Sequence, residues 1–180
     1  EMVALHPTYS YCLSADDRIS SVDAQWLAFA QENGAQRLTE EAVIGHSLWD
    51  FIADADTRDL YTAIFHGVRA SGEVIVLPFR CDSPTLRRNM TMQIRKQNDS
   101  LVIRCTLVST EATQYLRLFD RQLRRNNKQL KMCSVCLRAL VEPAGWLEIS
   151  DAAIRLRLLH DDRRPRLRYT VCPTCAALVN

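Results

Sequence analysis

The sequence predicts an α+β protein with three parts: a five-stranded antiparallel sheet with a helical insert, a linker helix, and a small C-terminal cysteine-rich module. Three observations support this prediction. Five segments before residue 110 have strand-like patterns, the apolar spacing then becomes helical, and two cysteine pairs follow. The composition is that of a globular protein, with 47% hydrophobic and 24% charged residues. This composition excludes wholesale disorder.

Charge and cysteine content divide the chain near residue 110. Residues 1–110 carry 10 Lys/Arg and 14 Asp/Glu, whereas residues 111–180 carry 13 and 7. The seven cysteines are an odd number, which argues against a disulfide framework. No apolar run is long enough to span a membrane and no signal-peptide pattern is found, so we expect a cytoplasmic protein. We expect domains at 8–110, 111–131 and 132–180.

The elements of the first domain follow from periodicity and turn residues. An alternating strand around Tyr9–Leu13 and a second strand at 18–22 predict a hairpin. Asp23 is placed to cap a helix that Gly34 ends, and Asp56 or Thr57 is placed to cap a second helix. Alternation then predicts three more strands, at 74–80, 90–95 and 101–108.

Two short motifs in this order resemble a PAS domain. Asp17-Arg18-Ile19 precedes the first helix, and Val43-Ile44-Gly45-His46-Ser47-Leu48 follows it, as in the PAS patterns "d-g-r-i" and "G-k-s-l-x-d". The resemblance covers about residues 8–110. It implies a sensory and interaction module that often holds a ligand between its sheet and helices and often dimerises.

Four residues are candidate ligand contacts within the resemblance: His66, Trp49, Met90 and Met92. Haem ligation through His66 is possible but not supported, because a lone histidine near a helix end is more often solvated. Flavin is also unsupported, because the cysteine of light-oxygen-voltage domains is absent. We expect the two methionines and Trp49 to fill the core, and a fully packed interior is the leading expectation.

Cys81 is a candidate redox thiol. It follows Arg80, and a neighbouring cation lowers the pKa of a thiol. The preferred alternative is a hairpin loop whose arginines are solvated, because Asp82-Ser83-Pro84 predicts a turn.

The spacing of three and four residues between apolar positions predicts a helix at 111–131. Its seam contains Leu116, Phe119, Leu123, Asn126 and Leu130. A short coiled coil would make the protein a homodimer through this helix and the PAS-like domain. The alternative is a single amphipathic helix lying on its own domain. The basic outer positions also allow contact with nucleic acid, although charged faces are usually just solvated.

Cys133, Cys136, Cys172 and Cys175 form two Cys-x-x-Cys pairs with 35 residues between them. Four thiolates match the tetrahedral preference of zinc and leave no open coordination position, so we expect a structural zinc site. A redox disulfide is the competing interpretation, but its βαβ context is missing. The spacer predicts a helical stripe from Trp146 to His160 and a strand at 166–171.

Residues 132–178 also resemble a four-cysteine module appended to bacterial signalling proteins. The matching positions include the four cysteines, Trp146 and Pro173. Two departures concern the partner surface: Tyr169 replaces a frequent histidine, and the basic segment 163–166 replaces an acidic one.

Together these features predict a bacterial sensory or regulatory protein. The PAS-like domain would sense a ligand, redox state or partner, and the helix and zinc module would signal by binding an unidentified protein partner. The alternative function is a PAS-regulated nucleic-acid-binding regulator. We expect no enzymatic activity, because we find no catalytic triad, carboxylate pair or phosphate-binding loop.

Overall fold

The structure is a computed structural model that describes residues 7–179. The chain divides into two compact units. The first unit contains residues 7–53, 61–78 and 90–108, and the second contains residues 54–60, 79–89 and 109–179. The second unit therefore includes two short segments that lie far from the cysteines in sequence.

The larger sheet has five antiparallel strands in the order β2-β1-β5-β4-β3. Tyr11 pairs with both Val22 of β2 and Ile103 of β5. The alternation seen in the sequence matches burial: Met90, Met92 and Ile94 are buried. The five strands are β1 Thr8–Leu13, β2 Ile19–Val22, β3 Ile75–Arg80, β4 Leu86–Gln97 and β5 Ser100–Ala112.

Helices fill the interval between β2 and β3, as predicted. They are α1 Ala24–Glu32, α2 Glu40–Val43, a 3-10 turn at Leu48–Phe51, and α3 Ala55–Ser71. Asp23 caps α1 by accepting from the Trp26 amide, which confirms the predicted cap. The cap of α3 is instead Asp54, whose carboxylate accepts from the Thr57 amide at 2.9 Å. The expectation that Asp56 or Thr57 caps this helix was therefore wrong.

The smaller sheet has four strands in the order β8-β7-β6-β9, and β6 pairs in parallel with β9. Its strands are β6 Arg125–Cys133, β7 Ala139–Val141, β8 Gly145–Leu147 and β9 Arg164–Thr170. Helix α4 Ile149–Arg155 lies between β8 and β9, and α5 Pro173–Ala176 follows β9. The core of this unit contains Leu118, Leu130, Met132, Ile149 and Ala152.

The predicted linker helix at 111–131 is absent from the described residues. Strand β5 continues to Ala112, a 3-10 turn covers Arg117–Phe119, and β6 begins at Arg125. Because Leu130 and Met132 are both buried while Lys131 between them is exposed, the period here is two. Pairing with β9, distant in sequence, outweighs the local helical spacing. The coiled coil and its dimer are therefore not supported by this segment.

The helix predicted from Trp146 to His160 is shorter than expected. Trp146 lies in β8 opposite Leu140 of β7, and the helix covers only Ile149–Arg155. Gly145 begins β8 with φ +87°, a conformation that side chains other than glycine rarely adopt. The strand predicted at 166–171 is confirmed as β9. Among the described residues, no helix is long and apolar enough to cross a membrane.

Candidate metal centre and interior cavity

Four cysteine side chains come together in the second unit. The sulfur atoms of Cys133, Cys136, Cys172 and Cys175 all lie within 4.8 Å of one another. The Sγ atoms of Cys136 and Cys172, 36 residues apart, are separated by 3.7 Å. Two of the ligands leave the ends of the parallel strands β6 and β9, so the strand pairing itself brings the two Cys-x-x-Cys pairs together.

Local backbone turns hold each cysteine pair. In the first pair, the Leu137 amide donates to the Cys133 carbonyl at 3.0 Å, and Leu137 has φ +58°. In the second, Cys172 stands immediately before α5, with Pro173 at the first helical position. The Cys172 amide also donates to the Cys133 sulfur at 3.4 Å, which links the two turns. Such turns direct both sulfurs of each pair toward one point.

The thiols perturb one another strongly. Hydrogen bonding from Cys136 lowers the pKa of Cys133 to about 4, and backbone amides assist. The same hydrogen bond raises the pKa of Cys136 well above its ordinary value. Burial and the neighbouring Cys133 raise the pKa of Cys175 to about 12. Four thiolates are therefore not stable together without a cation, because each new negative charge is repelled by the others.

The geometry fits a tetrahedral metal ion. Four sulfurs at the usual zinc–sulfur bond length of about 2.3 Å are about 3.8 Å apart. The measured 3.7 Å between Cys136 and Cys172 matches this spacing, and the whole group falls within 4.8 Å. Three of the four cysteines are buried, so little water competes with the ion. The predicted ligand residues thus form a group that can bind a metal.

Two segments distant in sequence hold the first cysteine turn. The Arg80 amide in β3 donates to the Val135 carbonyl at 2.8 Å. At the start of α3, the hydroxyls of Thr57 and Ser134 lie 2.7 Å apart, and Thr57 is buried. Ser134 and Val135 are the two residues between the first pair of ligands. These contacts therefore fasten the candidate metal centre to α3 and to the end of β3.

A second fastening is ionic and centres on Glu148. Its carboxylate accepts from Arg87 at 2.9 Å, and from Arg80 and Arg138 at 3.3 Å each. Arg80 also forms a double hydrogen bond with Asp82, at 2.5 and 3.0 Å. Burial acts to raise the pKa of Glu148, but the hydrogen bonds and charges of these arginines lower it overall. Glu148 is therefore ionised and joins the β3–β4 hairpin to the start of α4.

The structure does not support a reactive Cys81. Burial raises the pKa of its thiol, and Arg88 only partly offsets this effect. Arg80, which the sequence argument used as the activating cation, is instead paired with Asp82 and Glu148. The preferred expectation of solvated arginines was also wrong, because only 11% of the Arg80 side chain is exposed.

An apolar pocket of about 230 Å³, partly open to solvent and called the cavity below, lies in the first unit. It is bounded by β1 and β2, by α1 and α2, and by single residues of β4 and β5. No charged side chain contributes to its lining, and its two tyrosines are its main polar groups. Burial raises the pKa of Tyr11 well above its ordinary value, so this phenol is neutral. The lining residues are Tyr9, Tyr11, Ile19, Val22, Trp26, Leu38, Val43, Leu48, Phe51, Met92 and Cys105.

The four predicted ligand contacts lie at different places relative to the cavity. Met92 lines it, but Met90 is buried elsewhere in the sheet core. His66 is exposed on α3 and is not part of the lining. Trp49 packs against Phe65, with ring centroids 5.9 Å apart, and donates to Asp17 at 3.3 Å. The expectation of a fully packed interior was also wrong, because the short helices of the insert leave space beside the sheet.

Several functional residues were not found from the sequence. Tyr11 and Trp26 line the cavity, but the sequence marks Tyr11 only as a strand position and Trp26 as a core residue of the first helix. The Glu148 cluster joins residues 60 or more positions apart, and no local pattern marks such a cluster. The unusual density of arginines at 80, 87 and 88 was the available signal, since buried arginines need acidic partners.

Comparisons with known proteins returned PAS domains among solved structures. The PAS domain of the Cronobacter turicensis quorum-sensing receptor RpfR in complex with BDSF has 13% identity and a TM-score of 0.45, covering 60% of this chain and 100% of that one. The same domain in complex with C12:0 has 13% identity, a TM-score of 0.40 and the same coverages. The PAS domain of Bordetella pertussis BvgS has 14% identity and a TM-score of 0.37, covering 86% and 82%. No family model matches the chain, and no curated protein does.

The structure combines a five-stranded antiparallel sheet and its helical insert with a four-cysteine group. Two strands, a helical insert and three strands follow one another in the order that the sequence resemblance implied. The four predicted ligands form one group.

Proposed function

We propose that this protein is a cytoplasmic sensory protein that binds a small apolar molecule in its PAS-like unit and signals through a zinc-stabilised module. The observation that carries the proposal is the cavity of about 230 Å³ between sheet and helical insert. A mostly apolar pocket with a few convergent polar groups is the usual form of a small-molecule site.

The cavity defines the class of ligand. An engineered apolar cavity of about 150 Å³ binds benzene, so this one suits a molecule of about nine or ten non-hydrogen atoms. Because the lining carries no charged side chain, the buried part of the ligand should be uncharged. The neutral Tyr11 can form one hydrogen bond with a polar group of the ligand. A haem or a flavin nucleotide is several times too large.

Zinc is the metal that we propose for the four cysteines, because an all-thiolate tetrahedral group is typical of structural zinc sites. When bound, the ion would offset two of the four thiolate charges and cross-link β6 to the segment after β9. Four protein ligands leave no open position for a substrate, so we propose an output by protein binding rather than by catalysis. A homodimer through the PAS-like domain stays a prediction.

Chain continuity supplies a route between the two functions. Strand β4 contributes Met92 to the cavity lining, and its earlier residue Arg87 bonds to Glu148. Strand β3 ends at Arg80, which is fastened to both Val135 and Glu148. A ligand that shifts β4 would therefore act on residues that hold the metal module. Such a shift requires that the ligand bind the two arrangements with different affinity.

The test is binding of a panel of uncharged apolar molecules, from benzene to ten-carbon alcohols, followed by the thermal midpoint and tryptophan fluorescence. Trp26 lines the cavity and should report occupancy. At a ligand concentration 100 times Kd, stability should rise by about 2.7 kcal/mol. Val22→Phe, which adds volume to the cavity lining, should abolish the effect. Val76→Phe is the matched control, because Val76 is 58% exposed in β3.

Two results would contradict the proposal. One is a panel without any stabilising member, and the other is equal stabilisation of wild type and Val22→Phe. The signalling step needs a separate readout, namely altered amide hydrogen exchange at residues 79–89 and 134–135 when a ligand binds. Ligand binding without altered exchange at these residues would contradict the proposed coupling to the metal module, but the proposed ligand binding would stand.

A further inference from the structure

The second unit has a basic surface that the proposed sensory function does not use. It consists of the outward positions of β6 and β9 and of the segments that lead into these strands. We call it the basic face. Its members are all exposed and all carry positive charge: Arg121, Arg124, Arg125, Lys128, Lys131, Arg163, Arg166 and Arg168.

Strand pairing gathers these charges. In the parallel pair, Lys131 lies opposite Arg168, and Gln129 lies opposite Arg166. Leu130 and its partner Leu167 point to the core side, so Gln129, Lys131, Arg166 and Arg168 share the other side of the sheet. The remaining members lie near the start of these strands, where the register is irregular. Strand β9 is the edge strand of this sheet, so no other strand pairs with its outer side among the described residues.

Within the described part of the chain, these charges have no ion-pair partner. The positive charges also affect Arg164, which pairs with Arg125 across the two strands. Burial and then the Arg125 guanidinium lower the pKa of Arg164. Asp120 opposes this effect only in part. An uncompensated positive field of this kind attracts a polyanion.

We infer that the basic face binds the phosphate backbone of nucleic acid. Six of its eight members are arginines, whose planar guanidinium matches phosphate oxygens in pairs. A protein partner fits less well, because the centres of protein interfaces are depleted in charged residues and contain aromatic and apolar groups. Interfaces with nucleic acid are instead strongly positive and polar. The contact is to phosphates, so it confers little sequence preference.

Fluorescence anisotropy with a labelled 20-nucleotide single strand and a 20-base-pair duplex tests this inference on the whole 180-residue chain. Binding should be measurable at 50 mM salt and should weaken steeply by 200 mM. If four to six phosphates are neutralised, the slope of log affinity against log salt should be about −3 to −5. Comparison of the two probes shows which form of nucleic acid fits the face.

The decisive variant replaces two charges that lie opposite each other, Lys131→Ser with Arg168→Ser. It should bind roughly 10- to 100-fold more weakly at 50 mM salt, and its salt slope should be smaller by about two. The matched control is Arg95→Ser with Arg104→Ser, which removes the same charge from exposed positions of β4 and β5. The control should bind as the wild type does.

Three results would overturn the inference. The first is no binding of either probe at 50 mM salt. The second is an equal loss in the control variant, which would show that only net charge matters. The third is that a polyglutamate peptide binds as tightly as the oligonucleotides and is lost in the same variant. That last result would assign the face to an acidic protein partner. Circular dichroism and metal content establish that both variants remain folded.

Discussion

The two units of this protein are stabilised in different ways. In the first unit, large side chains from the sheet and α3 form the interior, and residues such as Phe65, Ile94 and Leu101 are at most 1% exposed. In the second unit, fewer of the large side chains are fully buried, and the core is supplemented by a cysteine group and by a cluster of buried charges around Arg80 and Asp82. The first unit also contains a cavity of about 230 Å³ and tolerates it.

This difference in stabilisation determines what each unit can accommodate. A unit held by apolar burial can keep an apolar space for a ligand, because the burial of the remaining core offsets the lost packing. A unit with fewer large buried side chains gains stability from a cross-link, and a metal supplies one without a disulfide. We therefore expect removal of metal to affect the second unit most, and core truncation to affect the first.

The largest expected effect comes from Cys136→Ser. Structural zinc sites contribute an apparent 10–16 kcal/mol of binding free energy, about as much as the total stability of a typical domain. The variant should lose bound zinc and the ordered structure of β6, β7 and β9. Metal analysis and circular dichroism measure this loss.

Cys12→Ser is the control for that variant, because Cys12 lies in β1 and outside the cysteine group. It should retain one zinc per chain. Full retention of metal in Cys136→Ser would contradict the assigned ligand set.

The next effect is loss of apolar burial in the first unit. Ile94→Ala removes three carbons from a fully buried position and should cost about 2–5 kcal/mol in the free energy of unfolding. Urea unfolding followed by tryptophan fluorescence measures it. Ile154→Ala makes the same change at a side chain that is 59% exposed, so it should cost far less. Equal costs would show that Ile94 is not in the core.

Glu148→Gln tests the charge cluster. The substitution leaves Arg80, Arg87 and Arg138 without their shared carboxylate. Because the Glu148 side chain is 35% exposed, solvent screening reduces the expected cost to about 1–2 kcal/mol at pH 7. Urea unfolding at several pH values gives the difference between wild type and variant.

The pH dependence of that difference has a definite sign. The pKa of Glu148 is lower in the folded protein, so its contribution is complete above the unfolded value of about 4.3 and is lost as pH falls through the folded pKa. The difference should stay constant from pH 8 to pH 5.5 and decrease at lower pH. A difference that changes between pH 6 and pH 8 would assign the effect to another group.

The smallest effect is expected for Ser134→Ala. It removes the partner of the Thr57 hydroxyl at 2.7 Å, but Thr57 keeps its hydrogen bond with Asp54 at 2.6 Å. The cost should be about 0.5–1.5 kcal/mol. Thermal unfolding at constant zinc measures it, with Ser20→Ala as an exposed control in β2. No change at all would mean that this contact does not help to fasten the cysteine turn.

Sequence patterns predicted the parts of the fold that local rules determine. Period-two alternation found β1, β4 and β5, and the Asp23 cap found α1. The ligand set followed from spacing alone, and the four sulfurs do come together. Local rules failed at 111–131, where Leu116, Leu123 and Leu130 imitate a helical seam. The deciding contact is the pairing of β6 with β9, more than 30 residues away.

The cavity and the Glu148 cluster could not be predicted for the same reason. Each depends on residues that only the tertiary fold brings together, such as Tyr11 with Met92 and Arg87 with Glu148. Burial decides their chemistry as well: it raises the pKa of Cys81, which sequence proximity to Arg80 had suggested would be lowered. The residue next to Cys81 in the sequence therefore predicted a pKa shift in the wrong direction.

The most direct test of the account is region-resolved hydrogen exchange of the zinc-loaded protein before and after chelation. We expect amides of β6, β7 and β9 to lose protection together when zinc is removed, whereas amides of β1 and of residues 100–106 stay protected. Protection that is unchanged in β6, β7 and β9 after complete removal of metal would contradict the claim that a bound ion stabilises the second unit.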